Sequence, residues 1–167
     1  MALFNSIPPA SKSLRVLARL LGYPDHGLRA HLSELQAALH LEKALPAPRL
    51  AELDALIDTL GRKVALEVEA DYVELFDRGR ATSLHLFEHV HGDSRDRGPA
   101  MLDLAKTYEQ AGLFLGEGEL PDFLPVVLEF TSTLAPRQAR EFLSEMAHIF
   151  NAIFAALQKR ESPYAAV

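Results

Sequence analysis

The sequence predicts an all-α fold, a single-domain helical bundle of about seven or eight helices, on three observations. Apolar residues recur at three- and four-residue spacing along most of the chain, no segment shows a convincing period of two, and Gly and Pro punctuate the periodic runs. At 167 residues and 49% hydrophobic composition, the chain is long enough to bury one substantial core. It has no internal repeat and no low-complexity tract.

From Ser11 to Gly22, Leu14, Leu17, Leu20 and Leu21 fall at helical spacing, and Gly22 with Pro24 supplies the stop. After Asp25, Leu28, Leu32, Leu35 and Leu39 form one stripe of a second helix ending near Leu41. Pro46 and Pro48 punctuate the connection, and Leu50, Leu53, Leu56, Ile57 and Leu60 trace a third helix as far as Gly61. Val64, Val68, Tyr72, Leu75 and Phe76 make the fourth stripe, with Glu67, Asp71 and Glu74 on a different face. That helix is expected to end near Asp77, because Gly79 can take the left-handed conformation that terminates helices.

A short helix follows from about Ser83 to His89, then a loop from Gly92 to Arg97. Gly98 and Pro99 read as N-cap and first-turn residue of the next helix, which carries Met101, Leu102, Ala105 and Tyr108 toward Gly112. Gly116, Gly118 and Pro121 mark a second loop. Phe123, Val127, Phe130 and Leu134 then continue the helical pattern, with Pro125 tolerated in the first turn, until Pro136 breaks it. Phe142, Met146, Ile149, Phe150, Ile153 and Leu157 form a long stripe on a last helix. Residues 1–10 and 158–167 are expected to be flexible ends.

Composition excludes several functions. The absence of cysteine removes disulfides, iron-sulfur ligation and thiol catalysis, and fits a reducing, cytoplasmic compartment. Pro8 and Pro9 interrupt the few apolar residues near the N-terminus, so no signal peptide is expected, and no run approaches the roughly 18 apolar residues of a membrane span. Direct membrane insertion is therefore not expected. A net charge of -6 argues against nucleic acid as a partner. Between Glu52 and Asp77, eight carboxylates face only Arg62 and Lys63, a local excess equal to that of the whole chain. Such a face is a solvated helix surface or suits a basic partner.

Charged, imidazole and aromatic residues are densest from Asp71 to Gly98, and a second unusual stretch, ELPDFLPVVLEF at 119–130, sets two prolines and three carboxylates among large apolar residues. We read the two as one site. His85 and His89 lie one helical turn apart with Glu88 between them, which resembles a metal-binding helix, but the order differs from the zincin pattern. A metal-dependent enzyme built on His85, Glu88 and His89 is the rival reading. Arg78, Arg80, Arg95, Asp96 and Arg97 form two similar clusters flanking the short helix, placed to join the loops through charge-assisted pairs. They could also hold a pyrophosphate or a carboxylate, yet GEGEL at 116–120 lacks the Lys and Ser or Thr of a phosphate loop, and no serine sits in a nucleophile elbow. The surplus of apolar residues from Tyr72 to Val90 is either core or the wall of a groove. Apolar walls rimmed by carboxylates suit a basic amphipathic segment.

YVELFDRGRATSLHLFEHVHGDSRDRG at 72–98, MLDLAKTYEQAGL at 101–113 and ELPDFLPVVLEF closely resemble the NarJ family, the assembly chaperones of membrane-bound respiratory nitrate reductase. Tyr72 with Leu75 and Phe76, and Glu119 with Pro121 and Asp122, also resemble elements of the wider TorD-like chaperones. There a histidine commonly follows the aspartate; here Phe123 does, so no role of that histidine carries over.

The resemblance implies a TorD-like, all-helical chaperone without enzyme activity. Its partner would be the catalytic alpha subunit of nitrate reductase, chiefly its N-terminal segment, bound in the cytoplasm. It would assist molybdenum cofactor insertion into that client and delay membrane docking, while keeping no cofactor or metal itself. A helical chaperone for a different molybdoenzyme is the nearer alternative. Family members often extend beyond the last helix, so a chain stopping at Val167 is expected to be a short or truncated form. For peptide binding we assign Tyr72, Leu75, Phe76, Leu86 and Phe87 as apolar contacts, and Glu74, Asp77, Glu88, Asp122 and Glu129 as an acidic rim, with His89 and His91 beside it. With His85, His89 and His91 near that rim, affinity is expected to vary between about pH 5 and 8. Arg78, Arg80, Arg95, Asp96 and Arg97 are assigned to holding the loops.

Overall fold

Ten α-helices carry the described residues, 7–167, of the computed structural model: α1 (Ser11–Leu20), α2 (His26–Ala30), α3 (Leu32–Glu42), α4 (Ala47–Arg62), α5 (Ala65–Tyr72), α6 (Leu86–Val90), α7 (Arg97–Gln110), α8 (Leu124–Thr131), α9 (Pro136–Glu145) and α10 (Ala147–Lys159). Among the described residues there is no β-strand beyond an isolated antiparallel bridge between His85 and Phe123, so the architecture is the all-α one that the periodicity predicts. No helix among them is long and apolar enough to cross a membrane. Residues 1–6, part of the end expected to be flexible, lie outside the described residues.

The helices outnumber the seven or eight expected because two long stripes each bend once. His31 separates α2 from α3, yet Leu28, Leu32 and Leu39 all stay buried. Met146 separates α9 from α10 in the same way. Pro136 does more than stop the preceding segment, since it is the first residue of α9, where a missing N–H costs no hydrogen bond. Gly61 neither ends nor visibly weakens α4, which runs through it to Arg62. Helix α7 starts at Arg97, just before Gly98 and Pro99, so Pro99 keeps its expected place in the first turn while Gly98 is not the cap.

Helix α1 lies along α8 and α3, α3 packs on α4, and α10 packs on the turn at 80–82 and on the chain end. Leu20, Leu39, Leu56, Leu84, Val127 and Ile153 meet in the core they share. Two carboxylates tie this framework from outside. Helix α1 has no side-chain cap of its own; Glu42, at the far end of α3, accepts from the backbone N–H groups of Lys12 (3.0 Å) and Ser13 (2.8 Å). Asp54 on α4 accepts from Gln36 on α3 and faces His40 Nε2 at 2.9 Å. Burial pushes both carboxyls up, but the donated hydrogen bonds outweigh it and hold each below its ordinary value.

A carboxylate so held stabilises the fold above its unfolded pKa, and that contribution is lost as pH falls through the depressed folded value. Glu42→Gln, which exchanges a charge-assisted cap for a neutral one across α1 and α3, is expected to cost about 1 kcal/mol near neutral pH. The cost should be smaller at about pH 3 than near neutral pH, because it starts to shrink below the ordinary glutamate value of about 4.3 and goes on shrinking as pH falls through the depressed folded value. Urea unfolding at both pH values checks this; an equal cost at both would refute it.

Helix α5 does not simply end near Asp77. Its last residue, Tyr72, passes into a π-helical turn, Val73–Asp77, closed by Arg78 N–H donating to the Val73 carbonyl five residues back (3.1 Å). Gly79 follows with φ -91°, so the expectation of a left-handed residue there is corrected. Space requires the glycine instead: a Cβ at this position would collide with the Thr82 hydroxyl and the Leu75 carbonyl. Those same two groups are hydrogen-bonded to each other, which fastens the 3₁₀ turn at Arg80–Thr82 under the π-helical turn.

The chain end departs most from expectation. Residues 158–167 are not a frayed end here. Ser162 caps a final 3₁₀ turn, Pro163–Ala166, by accepting from the Tyr164 N–H (3.2 Å), and Tyr164 is only 5% exposed. Its ring lies edge-on to Phe76, with centroids 5.0 Å apart, and to Tyr72 at 6.1 Å. Ala165, Ala166 and Val167 pack beside it against the core. A four-residue apolar end after a polar run shows no period, which is why the sequence hid it.

Candidate functional site

The two unusual stretches meet edge to edge. Residues 84–87 and 122–124 run antiparallel: Leu124 N–H donates to the Leu84 carbonyl (2.8 Å), and Leu86 N–H donates to the Asp122 carbonyl (3.0 Å). The Asp122 side chain then accepts from Phe87 N–H (3.0 Å), so a carboxylate distant in sequence caps the start of α6. His85 stacks on Phe123, with ring centroids 5.0 Å apart. Tyr108 of α7 donates to the Pro121 carbonyl (2.7 Å), which anchors the other side of the strip.

Asp122 is 0% exposed, so the expectation that it belongs to an acidic rim is corrected: it builds the site from inside. Its second oxygen makes no hydrogen bond and faces His85 Nδ1 at 3.8 Å, an imidazole nitrogen also buried and unpartnered. That facing carboxylate outweighs burial and raises the His85 pKa. Three expected apolar contacts are likewise corrected. Tyr72, Phe76 and Leu86 are buried in the core, and Tyr72 donates its hydroxyl to the Leu21 carbonyl (2.7 Å). The wide π-helical turn adds one residue to the helical register, so Phe76 points inward and Leu75 stays half-buried at the surface.

The other assigned residues remain accessible. Glu74, Asp77 and Glu129 are exposed, and Leu75, Phe87, Glu88, His89 and His91 are half-buried. They do not share one hollow. Glu74 and Leu75 line a hollow of about 320 Å³ together with Lys63, Asp71 and the packed chain end. Asp77 and Glu88 line another of about 400 Å³, with Arg78, Arg80, Ser83 and His85. Glu129 lies in a third, walled by α7, α8 and the loop between them. Phe87 packs edge-on to His91 at 5.6 Å, and Val90 is exposed on the same short helix.

Around α6 the arginines form single pairs. Arg80 reaches Asp93 at 3.5 Å across two very exposed side chains, which contributes little. Arg97 reaches Glu88 at 3.6 Å with both side chains about one third exposed, and so ties the start of α7 to α6. Arg78 pairs back to Glu74 at 3.3 Å within its own turn. Asp96 takes part only locally, its N–H donating to Ser94 Oγ (3.2 Å), and Arg95 is exposed. Direct pairing between the two arginine-rich clusters is thus replaced by pairing through Asp93 and Glu88.

His85, Glu88 and His89 do not assemble as metal ligands. His89 Nε2 donates to the Ser83 carbonyl (2.7 Å), His85 Nδ1 turns to Asp122, and no three His, Asp or Glu side chains converge among the described residues. Sequence reasoning missed Ser83 and Phe123 as the partners that orient these histidines. The alternating strip SLHL at 83–86 carried the signal, being too short for a helix stripe and apolar at every second position.

A family model described as nitrate reductase delta subunit matches residues 24–167. Over 152 residues the chain is 49% identical to the nitrate reductase molybdenum cofactor assembly chaperone NarJ of Escherichia coli, covering 91% of this chain and 64% of that protein. It is 39% identical over 147 residues to the nitrate reductase-like protein NarX of Mycobacterium tuberculosis, covering 87% of this chain and 22% of that one. The chain thus spans less than two thirds of the length of these curated relatives. Among solved structures, an Archaeoglobus fulgidus protein proposed to act in redox enzyme maturation superposes with a TM-score of 0.67 at 22% identity, covering 93% of this chain and 86% of that one, and so shares the fold. The match over residues 24–167 shows that this chain belongs to the nitrate reductase delta subunit family.

Proposed function

We propose that the chain is an assembly chaperone for the catalytic alpha subunit of a respiratory nitrate reductase. The observation that carries this reading is the 49% identity to a relative named as a nitrate reductase molybdenum cofactor assembly chaperone. The chaperone acts in the cytoplasm, catalyses no reaction and retains no cofactor. It binds the N-terminal segment of the apo subunit, keeping it competent for molybdenum cofactor insertion and delaying its docking at the membrane.

The geometry supports a division of labour for that binding. Tyr72, Phe76, Leu86 and Asp122 form the frame, because they are buried and fix the π-helical turn and α6. Leu75 at one hollow, with Glu74, and Phe87 and His91 on and after α6, with Asp77, Glu88 and His89 nearby, supply half-buried surface that a client can finish covering. An amphipathic segment with basic residues beside its apolar face suits this surface. Arg97 ties α7 to α6 through Glu88, while Arg78 and Arg80 make only exposed pairs beside it.

Phe87→Ala is expected to weaken binding of the catalytic subunit's N-terminal peptide by about 1–3 kcal/mol, the usual range for truncating a well-packed interface aromatic. Titration calorimetry on wild type and variant reads this directly. Unchanged affinity in a folded variant would remove Phe87 from the contact surface.

A further inference from the structure

We infer that the hollow between α7 and α8 is a second docking surface, shaped for a basic amphipathic polypeptide segment. Helix α7 makes only sparse contact with the other helices, and of its 14 residues Tyr108 alone is buried. Tyr108 and Phe130 form the floor, their rings 4.6 Å apart. Above them, Leu113, Phe114 and Val126 border a hollow of about 430 Å³. Phe114 is 77% exposed, and Leu113 beside it 37%. Large apolar groups presented together at one hollow mark an interaction surface rather than scattered exposure.

Charge selects the occupant. From Thr107 to Pro136 the chain carries Glu109, Glu117, Glu119, Asp122 and Glu129 and has no Lys, Arg or His. Glu119 and Glu129 line the hollow itself; Glu119 also accepts from Gly116 N–H (2.7 Å), which sets the loop that displays Phe114. Arg15 is the one basic side chain at the rim, and its Nε donates to Ser132 Oγ (3.3 Å). An apolar anchor at Phe114 flanked by lysines or arginines toward Glu129 is therefore the complementary chemistry. This hollow shares no lining residue with those that hold Leu75 and Glu88, so it stands apart from the surface at Leu75 and Phe87 and takes Glu129, which the sequence had placed on the rim of that surface.

The test uses fluorescence anisotropy with a labelled synthetic helix bearing Leu and Phe on one face and Lys on the other. It is read on the full chain carrying Phe87→Ala, which weakens the first surface. The probe is expected to bind this chain, more weakly as salt is added. Adding Phe114→Ala should weaken it about tenfold or more, and Glu129→Gln severalfold. A probe with Glu in place of Lys should bind at least about tenfold more weakly. Phe114 and Glu129 are exposed, so an unchanged melting temperature confirms that the variants fold. Absence of binding to the Phe87→Ala chain, or equal affinity with and without Phe114→Ala, overturns the proposal. Because the probe is not the nitrate reductase segment, either result is independent of whether that segment binds at Phe87.

Discussion

Tyr164→Ala is expected to lower stability by about 3–5 kcal/mol, the range for emptying the site of a large buried aromatic side chain. The ring sits against Tyr72 and Phe76 beneath the π-helical turn, so its loss leaves a void directly under the residues that display Leu75. Tyr164→Phe separates ring from hydroxyl. The Tyr164 hydroxyl is buried and makes no hydrogen bond, so removing it is expected to cost less than about 1 kcal/mol or to stabilise the fold. Urea unfolding of both variants decides the matter. If Tyr164→Ala unfolds like wild type, the chain end is not part of the core.

Asp122→Ala is the second large effect, about 2–4 kcal/mol. It strands the Phe87 N–H at the start of α6, a loss of about 1–3 kcal/mol, and leaves a small void in a fully buried position. Asp122→Asn keeps an acceptor for that N–H and should cost less. It does remove the charge that faces His85. A His pKa raised in the fold contributes stability in full below the unfolded value of about 6.5, and that contribution fades as pH rises through the folded value. Wild type is therefore expected to lose stability as pH climbs above about 6.5, with a shallower loss in Asp122→Asn. Parallel pH profiles would show that Asp122 does not act through His85.

Periodicity exposed the helices because Leu, Val and Ile at three- and four-residue spacing leave few other ways to bury a stripe. It said less about where a stripe bends. His31 and Met146 break helices without Gly or Pro, by backbone angles (φ -111°, ψ 11° and φ -105°, ψ 4°) that leave the helical range. At Gly79 the sequence pointed to the right residue for the wrong reason, since a collision with Thr82 and Leu75 is visible only in three dimensions.

The candidate site was legible as a region and not as a set of surfaces. That 71–98 and 119–130 belong together followed from their unusual composition, and the Leu84–Leu124 and Asp122–Phe87 hydrogen bonds join them. Which side chains face outward did not follow, because the π-helical turn shifts the register between Tyr72 and Asp77. A straight helix would have put Leu75 and Phe76 on adjoining positions of one face; here one is half-buried and the other is core. Asp122 misled for a related reason: a carboxylate in an acidic stretch reads as surface until its distant N–H partner is known.

The proposed recognition of the N-terminal segment of an apo catalytic subunit is tested most directly by co-purification. The chain is co-expressed with the nitrate reductase alpha subunit, intact or lacking its N-terminal segment, in cells unable to make the molybdenum cofactor. The intact apo subunit is expected to be retained, and removing the segment is expected to reduce retention strongly. Equal retention of the two forms, or retention of neither, would contradict it.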